Sequence, residues 1–494
     1  MPSKINDIHI KFPTKLPVTC HTKYVGIGST FFAINGAKED GLTYIPCALK
    51  RGARKIVIQD NAKLNSELLD LINKYDAELE IVSNTRLELA NYSANETNNA
   101  HKQLKIIAIT GTKGKTSTTF MLEHVLRKAG LKTAMTTTVY NKILDKNLKS
   151  KLTTEPADYL HQFFKLCVDN GVEYVVLEVA AQALSMHRVA GLAFDAVIFT
   201  NFSQEHGEFY STIDSYFEAK CKIFDQLKPG APVFINSDDQ WCQKILEKHP
   251  KYNTFNINSN SKLEEKESKD LSCKNLSGKI IDSKNKLNLE LTSSNKTYNI
   301  EAPNIFGNFN AYNILAVASV AKSLGISIDD CSKYIKSFKG VPGRLEMHKI
   351  KNGASCFIDY AHNPSSYSAI LTTLRNMTDD LIVVFGCGGE RDATKRPIMG
   401  EIASQIADKI ILTSDNPRSE DPAKIIEDIL AGIQKENIGK ISKEIDREKA
   451  IKLACQMSKN SSIVAILGKG PDEYQQIGSI KYPFSEKAIL KEFK

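Results

Sequence analysis

What this chain of 494 residues lacks narrows its class before any motif is read. No apolar run approaches the roughly 18 residues of a membrane-spanning helix. The first residues, Met1-Pro-Ser-Lys-Ile-Asn-Asp7, hold no apolar stretch of the secretory kind, so a cytoplasmic location and no membrane partner are expected. Ten cysteines are present, none in a Cys-x-x-Cys pair, which argues against a zinc site and against a disulfide framework. They are expected to be reduced. The net charge of +8 is modest for the length, and no basic stripe with interleaved aromatics marks a nucleic-acid surface. A solvated lysine-rich surface accounts for it, and anionic small substrates would suit it too.

What is there is ordinary globular composition, 42% hydrophobic and 25% charged, in a chain long enough for about three domains. A first block, residues 1–103, mixes a β-like run at Phe31–Ile34, a helical stretch at Tyr44–Arg51 and the run Lys55–Ile58. The polar segment Asn91–Lys102 closes it and reads as a linker. A second block, 104–338, carries apolar runs at Tyr174–Glu178, Ala196–Thr200 and Val233–Asn236. Continuous runs separated by helical segments indicate a parallel sheet covered on both faces. Asn258–Lys296 interrupts them as a polar hairpin or loop insertion. A third block, 339–494, repeats the pattern at Cys356–Asp359, Leu381–Phe385, Lys409–Thr413 and Ser462–Leu467. Each of those runs ends in a polar or glycine-rich loop, where open α/β sheets bind ligands.

The most informative stretch is Lys105–Ser117. An apolar run ends in Gly111-Thr112-Lys113-Gly114-Lys115-Thr116-Ser117, and a helical segment follows. Glycines let the backbone N–H groups and the helix N-terminus converge on phosphate oxygens. Lys115 would reach the β- and γ-phosphates and Thr116 would hold Mg²⁺. Ile109 stands where the usual phosphate loop has its first glycine. The spacing still predicts binding of ATP or a close analogue.

Other constellations sit at strand ends. Glu178 and His206 follow two runs of the central block, and either caps and fills a loop or serves a metal beside the phosphates. Lys220 lies in the helical pattern Tyr216–Phe224. It either snorkels to solvent or, with a lowered pKa, reacts as a neutral amine with carbon dioxide to give an anionic carbamate. Arg391, Lys395 and Arg396 follow the turn Gly386–Gly389, and Arg418 ends Asp415-Asn416-Pro417-Arg418. Such arginines suit bidentate recognition of carboxylate or phosphate.

Taken in order, these motifs resemble the Mur ligase family over nearly the whole chain. The set runs from Asp40-Gly41 and Tyr44-Ile-Pro46 through Thr110–Thr116, Thr153-Thr154, Glu178-Val179, Thr200-Asn201, His206 and Ala219-Lys220. It continues through Gly307–Asn310, Gly343-Arg344, Asp359–His362, Gly386–Gly389, Lys395–Pro397, Asp415–Arg418 and Gly468–Gly470. The resemblance implies an α/β protein of three domains: a small N-terminal UDP-substrate domain, a central P-loop ATPase domain and a C-terminal Rossmann-like domain. It implies ATP-dependent amide ligation through an acyl phosphate, with Mg²⁺ as the metal, and a monomer is expected. Lys115 and the amides of Gly111–Ser117 would hold the phosphates, and Asn310, Arg344 and Asp359 would contact ATP after the third domain closes. Thr116 and Glu178 would serve Mg²⁺, and His206 with carbamylated Lys220 a second ion. Thr22, Thr153, Thr154 and Arg188 would contact a UDP-muramoyl dipeptide. Asp-Asn-Pro-Arg resembles the version that takes meso-diaminopimelate. Arg418 and Arg391 would clamp the carboxylate that lysine lacks, with Asp415, Asn416 and Pro417 around them and Gly468 and Asp472 at the ammonium end.

The sequence departs from the family pattern at His21-Thr22-Lys23, Ala180-Ala181-Gln182, Gln204-Glu205 and Pro471-Asp472. The nucleotide and amino-acid motifs are kept while the muramoyl-peptide contacts differ. Rivals are a lysine-adding ligase and a folate polyglutamate or cyanophycin-type synthetase, the latter without a counterpart of Asp-Asn-Pro-Arg followed by Asp421-Pro422. A P-loop switch ATPase would not need the third block's loops. A homologue that binds nucleotide without ligating is a further alternative.

Overall fold

Continuous apolar runs become buried parallel strands, and the polar residues that end them become loops. A computed structural model describes residues 10–36, 39–205, 209–257, 275–284, 286–293 and 296–494. His206 and most of the first half of the 258–296 insertion lie outside the described residues. The chain divides into two compact units, one with the described residues up to 256 together with 316–327, the other with 276–315 and 328–494.

In the first unit, four parallel strands, Val18–Thr19, Thr30–Phe32, Lys55–Gln59 and Glu78–Val82, lie in chain order. Their core is Phe31, Ile45, Leu49, Ile56, Ile58 and Ile72. The segment read as a linker is structured instead. Thr85–Glu96 is a helix, and Ala100–Gln103 a tight 3₁₀ turn with Ala100 and His101 buried. The asparagines that make it look like a loop are at its end: Asn98 and Asn99 take φ near +50°, where asparagine is tolerated. Thr19 ties this small sheet to the helix Ala157–Asp169, its hydroxyl donating to buried Asp158 at 2.7 Å.

The larger sheet has the order 253–256, 233–236, 196–199, 105–110, 174–178 and 133–136, all parallel, extended by antiparallel strands 140–143 and 146–149. The chain leaves strand 105–110 toward one side, returns through 174–178, and then crosses to 196–199 on the other. Strand 105–110 thus marks the topological switch point, where such sheets bind ligands beyond the carboxyl ends of their strands.

In the second unit the described part of the insertion forms an antiparallel meander, Leu276–Asp282, Leu287–Ser293 and Lys296–Ala302. A six-stranded sheet follows, ordered 346–349, 355–359, 463–467, 381–385, 409–412 and 441–443, parallel except for its first strand. Apolar clusters cover both faces, which is why its strands read as unbroken apolar runs.

Two histidines make the first unit sensitive to acid. His101 and His161 pack edge to face with ring centres 5.0 Å apart. Each leaves a buried Nδ1 without a hydrogen-bond partner. Burial lowers both pKa values, that of His161 to about 3. The unfolded chain therefore binds protons below pH about 6.5 that the folded chain refuses, so stability is complete above that pH and declines as pH falls toward 3. His161→Phe is expected to remove roughly 2 kcal/mol of the loss between pH 7 and pH 5. Urea midpoints at the two pH values check this, and an equal loss in both proteins would contradict it.

Candidate functional site

The loop after strand 105–110 curls because two glycines take conformations closed to other residues. Gly111 has φ +136°, and a Cβ there would lie 2.0 Å from Thr200 Oγ1. Gly114, at φ +82°, caps the helix Lys115–Lys128. The next strand end then grips the loop. Thr200 Oγ1 donates to Lys113 O at 2.7 Å, and Asn201 Oδ1 accepts from Lys113 N at 2.9 Å. Thr112 N donates to Asn201 O at 2.9 Å. Thr200 and Asn201 belong to the resemblance, but only the fold shows that they shape the loop. Ser117 is half-buried on the helix, and Lys115 Nζ donates to the carbonyls of Gly111 at 3.0 Å and Thr112 at 2.9 Å.

Beside the loop, buried Glu178 ends its strand as an acceptor for several donors. Thr116 Oγ1 reaches its two oxygens at 3.0 and 3.1 Å, and Thr138 N reaches Oε2 at 3.1 Å. Thr138 Oγ1 also donates to Thr153 Oγ1 at 3.1 Å. Thr154 Oγ1 donates to Glu178 O at 2.9 Å, and Arg188 Nη1 to Thr154 O at 2.7 Å. Glu178, Thr153, Thr154 and Arg188 are therefore brought together, with Thr138 joining a group that sequence reasoning did not place there.

Lys220 does not snorkel. It is 1% exposed, its Nζ donates to Gly111 O at 2.8 Å and lies 4.7 Å from the Tyr216 ring centre. Burial, and then Lys115, hold the amine well below the usual lysine pKa. A neutral amine is the form that adds to carbon dioxide. Thr116 and Glu178 are hard oxygen donors side by side, as Mg²⁺ requires. Among the described residues no three His, Cys, Asp or Glu side chains cluster as a metal cage.

Thr22 opens a short turn in the small sheet, away from these groups in sequence, and its carbonyl accepts from Arg51 Nη1 at 2.9 Å. Lys23 and Lys151 both lie over the neighbouring Tyr24 ring. This cationic surround of Thr22 suits an anionic ligand. Arg51 and Lys151 come from distant segments and carry no motif of their own.

The second unit carries the other candidate residues. Asp359 is buried at a strand end, accepting from Leu345 N and Ala361 N, both at 2.7 Å. Burial pushes its pKa up to about 6 despite nearby Arg344. The Arg344 guanidinium lies 4.8 Å from the Tyr360 ring centre. Asn310 Nδ2 donates to Phe306 O at 2.7 Å, and Phe306 packs edge-on against Phe357 of the same sheet.

Three further strand-end loops of this unit converge. Gly389 N donates to Asn416 O at 3.0 Å, and a Cβ on Gly389 would lie 2.0 Å from Pro417 O, so only glycine allows the approach. A Cβ on Gly388 would lie 3.2 Å from Arg418 Nη1 and 3.6 Å from Arg391 Cγ, which places both arginines around that glycine. Arg418 has φ +52° and donates from Nη1 to Gly389 O at 2.5 Å. Lys469 Nζ donates to Asn416 Oδ1 at 3.0 Å, and Asp415 Oδ2 faces Gly468. Burial raises the pKa of nearby Asp472. Arg396, read from sequence as suited to an anionic ligand, is instead buried in ion pairs with Glu420 and Asp428, both at 2.8 Å. Lys395 donates to His362 O at 2.7 Å.

Beneath these loops the buried Arg447 ties two strand ends together. It donates to Ser414 O at 3.3 Å, to Leu467 O at 2.9 Å and to Glu486 at 2.8 Å. Arg447→Ala would leave Glu486 buried and unpaired, a destabilisation of about 3–5 kcal/mol, whereas Arg447→Met with Glu486→Leu should cost less, about 1–3 kcal/mol, from the Ser414 and Leu467 carbonyls left without a donor. Urea unfolding of both variants checks the difference.

A glycine loop leading into a helix at a topological switch point is the arrangement of a nucleotide-binding α/β protein. The chain matches the Mur ligase middle domain over residues 109–321 and the Mur ligase, glutamate ligase domain over 343–470. It is 37% identical over 478 residues to the UDP-N-acetylmuramoyl-L-alanyl-D-glutamate–2,6-diaminopimelate ligase of Aquifex aeolicus, covering 96% of this chain and 92% of that one. Its identity to the ligase of the same name from Clostridium tetani is 34%, over 94% and 91% of the two chains. A solved structure of a ligase of that name superposes with TM-score 0.64 at 26% identity, over 99% and 96%. The MurF ligase of Thermotoga maritima in complex with ADP shares the fold, with TM-score 0.59 at 20% identity over 93% and 95%. This chain belongs to the Mur ligase family.

Proposed function

We infer that the protein is an ATP-dependent acid–amino-acid ligase that joins meso-2,6-diaminopimelate to UDP-N-acetylmuramoyl-L-alanyl-D-glutamate in peptidoglycan precursor synthesis. The observation that carries the choice of amino acid is the placement of Arg418 and Arg391 around Gly388. A diacid needs a cationic partner for its second carboxylate, and lysine would leave those guanidinium groups without one. The names of the relatives support the same substrates.

The chemistry runs in two steps. An oxygen of the acceptor carboxylate attacks the γ-phosphorus, the bond to the β-phosphate oxygen breaks, and ADP leaves. The amine of the second substrate then adds to the acyl carbon and loses a proton. The tetrahedral intermediate collapses, expelling phosphate with the former carboxylate oxygen. In this reading Lys115 and the amides of Gly111–Ser117 hold the phosphates, and Asn310, Arg344 and Asp359 hold the rest of ATP. Thr116 and Glu178 would hold Mg²⁺, which supplies charge neutralisation for phosphoryl transfer. Lys220 forms a carbamate, its nitrogen bonding to carbon dioxide with loss of a proton, and so offers anionic oxygens to a second ion. The assignment of His206 to that ion rests on the resemblance alone. Thr22, Thr153, Thr154 and Arg188 take the UDP-muramoyl dipeptide. Asp415, Asn416, Pro417, Gly468 and Asp472 complete the diaminopimelate site.

The reading divides the chain into UDP-substrate (1–103), ATP (104–338) and amino-acid (339–494) domains, and the family matches at 109–321 and 343–470 support the latter two. It takes the enzyme as a cytoplasmic monomer acting on small molecules. Among the described residues no helix is long and apolar enough to cross a membrane.

Phosphate release with ATP, Mg²⁺ and the UDP-muramoyl dipeptide should be much faster with meso-diaminopimelate than with L-lysine. Arg418→Ala should reduce that preference on the order of 100-fold, the effect of losing a charge-assisted contact. No release with either amino acid would contradict the assigned acceptor.

A further inference from the structure

The strands Tyr474–Ile477 and Ile480–Pro483 form a two-stranded antiparallel hairpin. It adds little to the core, since Ile477, Ile480 and Tyr482 are all exposed. Its inner edge is instead committed to the segment 415–418. Gln475 Nε2 donates to Asp415 O at 2.8 Å, and Gln476 N donates to Asn416 Oδ1 at 2.8 Å. Arg418 N donates to Gln476 O at 3.2 Å, and Gly478 N donates to Arg418 O at 2.7 Å. Both backbone groups of Arg418 are therefore held by the hairpin.

Arg418 needs such a hold. Its φ of +52° is a conformation that residues with a Cβ seldom adopt, and it is from this backbone that Nη1 reaches Gly389 O. Released from the hairpin, the residue would relax toward negative φ and turn its guanidinium away from the Gly388 turn. Asp415 is reached by a side chain and Arg418 by backbone, so Gln475 is the point where a substitution can weaken the attachment without removing the hairpin.

We propose that the 474–483 hairpin sets amino-acid selectivity by fixing Arg418, with Gln475 as a positioning residue that anchors the hairpin to Asp415. The proposal rests on the reading that Arg418 takes the second carboxylate of a diamino diacid. Gln475 touches no substrate in this account. It acts through the conformation of the segment that does.

The test is steady-state kinetics of the full chain with meso-diaminopimelate and with L-lysine, in wild type, Gln475→Met, Gln475→Glu and Arg418→Ala. Met keeps the volume and removes the donor, and Glu sets a carboxylate against the Asp415 carbonyl. Both should raise KM for diaminopimelate by about 5- to 10-fold, as expected for one lost hydrogen bond, and lower the preference over lysine by the same factor. The kcat at saturating diaminopimelate and the KM for ATP should stay within about twofold of wild type. An unchanged KM for diaminopimelate, or an equal fall in every parameter, would overturn the proposal. If wild type prefers the diacid and only Arg418→Ala loses that preference, the role of Gln475 fails while the functional reading stands. A wild type with no preference overturns both.

Discussion

The nucleotide side of this protein depends on a close approach: Gly111, bare of a side chain, lets the Thr200 hydroxyl occupy the space a Cβ would fill. From there Thr200 and Asn201 bind both backbone groups of Lys113 and so hold the loop open around the N-terminus of its helix. The loop lacks the first glycine of the common motif because its shape comes from a neighbouring strand end as well as from its own residues. The same packing brings Lys220 and Lys115 to one carbonyl, that of Gly111. Two cations on one acceptor, one of them buried, are stable only if one gives up its proton or gains a compensating charge. The lowered pKa of Lys220 answers that demand, and the carbamate proposed above would answer it too.

The second unit solves a different problem with the same geometry. Its four parallel runs end in loops that carry aspartate, asparagine, lysine and arginine, and a buried cation under them keeps the strand ends in register. Arg447 bridges Ser414 and Leu467 from below, while Lys469 reaches Asn416 from within the loops. The guanidinium of Arg418 faces the glycine turn, with the Arg391 side chain beside it.

Much of this was legible before the structure. Strands buried on both faces declare themselves as unbroken apolar runs, and the glycine loop, Glu178 and Lys220 were placed by motif. What escaped was set by contacts distant in sequence. Arg396 looks like a ligand until its partners, Glu420 and Asp428, 24 and 32 residues away, are seen. Thr138 reaches Glu178 across 40 residues, and Arg51 reaches Thr22 across 29. Asn91–Lys102 reads as a linker because polar side chains and two left-handed asparagines hide a helix end with a buried inner face. The departures at Ala180 and Ala181 also gain a meaning: Ala180 N donates to the Thr154 hydroxyl, and Ala181 is buried. The backbone there supplies polar contact that the missing hydroxyls do not.

The central claim is that the acceptor carboxylate attacks ATP directly, and oxygen tracing tests it. The UDP-muramoyl dipeptide would carry ¹⁸O in its reacting carboxylate, and the released phosphate would be analysed by mass after turnover with ATP and meso-diaminopimelate. An acyl phosphate predicts one ¹⁸O in each phosphate formed, with the other retained in the new amide. Phosphate free of label would mean that water attacks ATP, and that the chain hydrolyses nucleotide without activating the carboxylate.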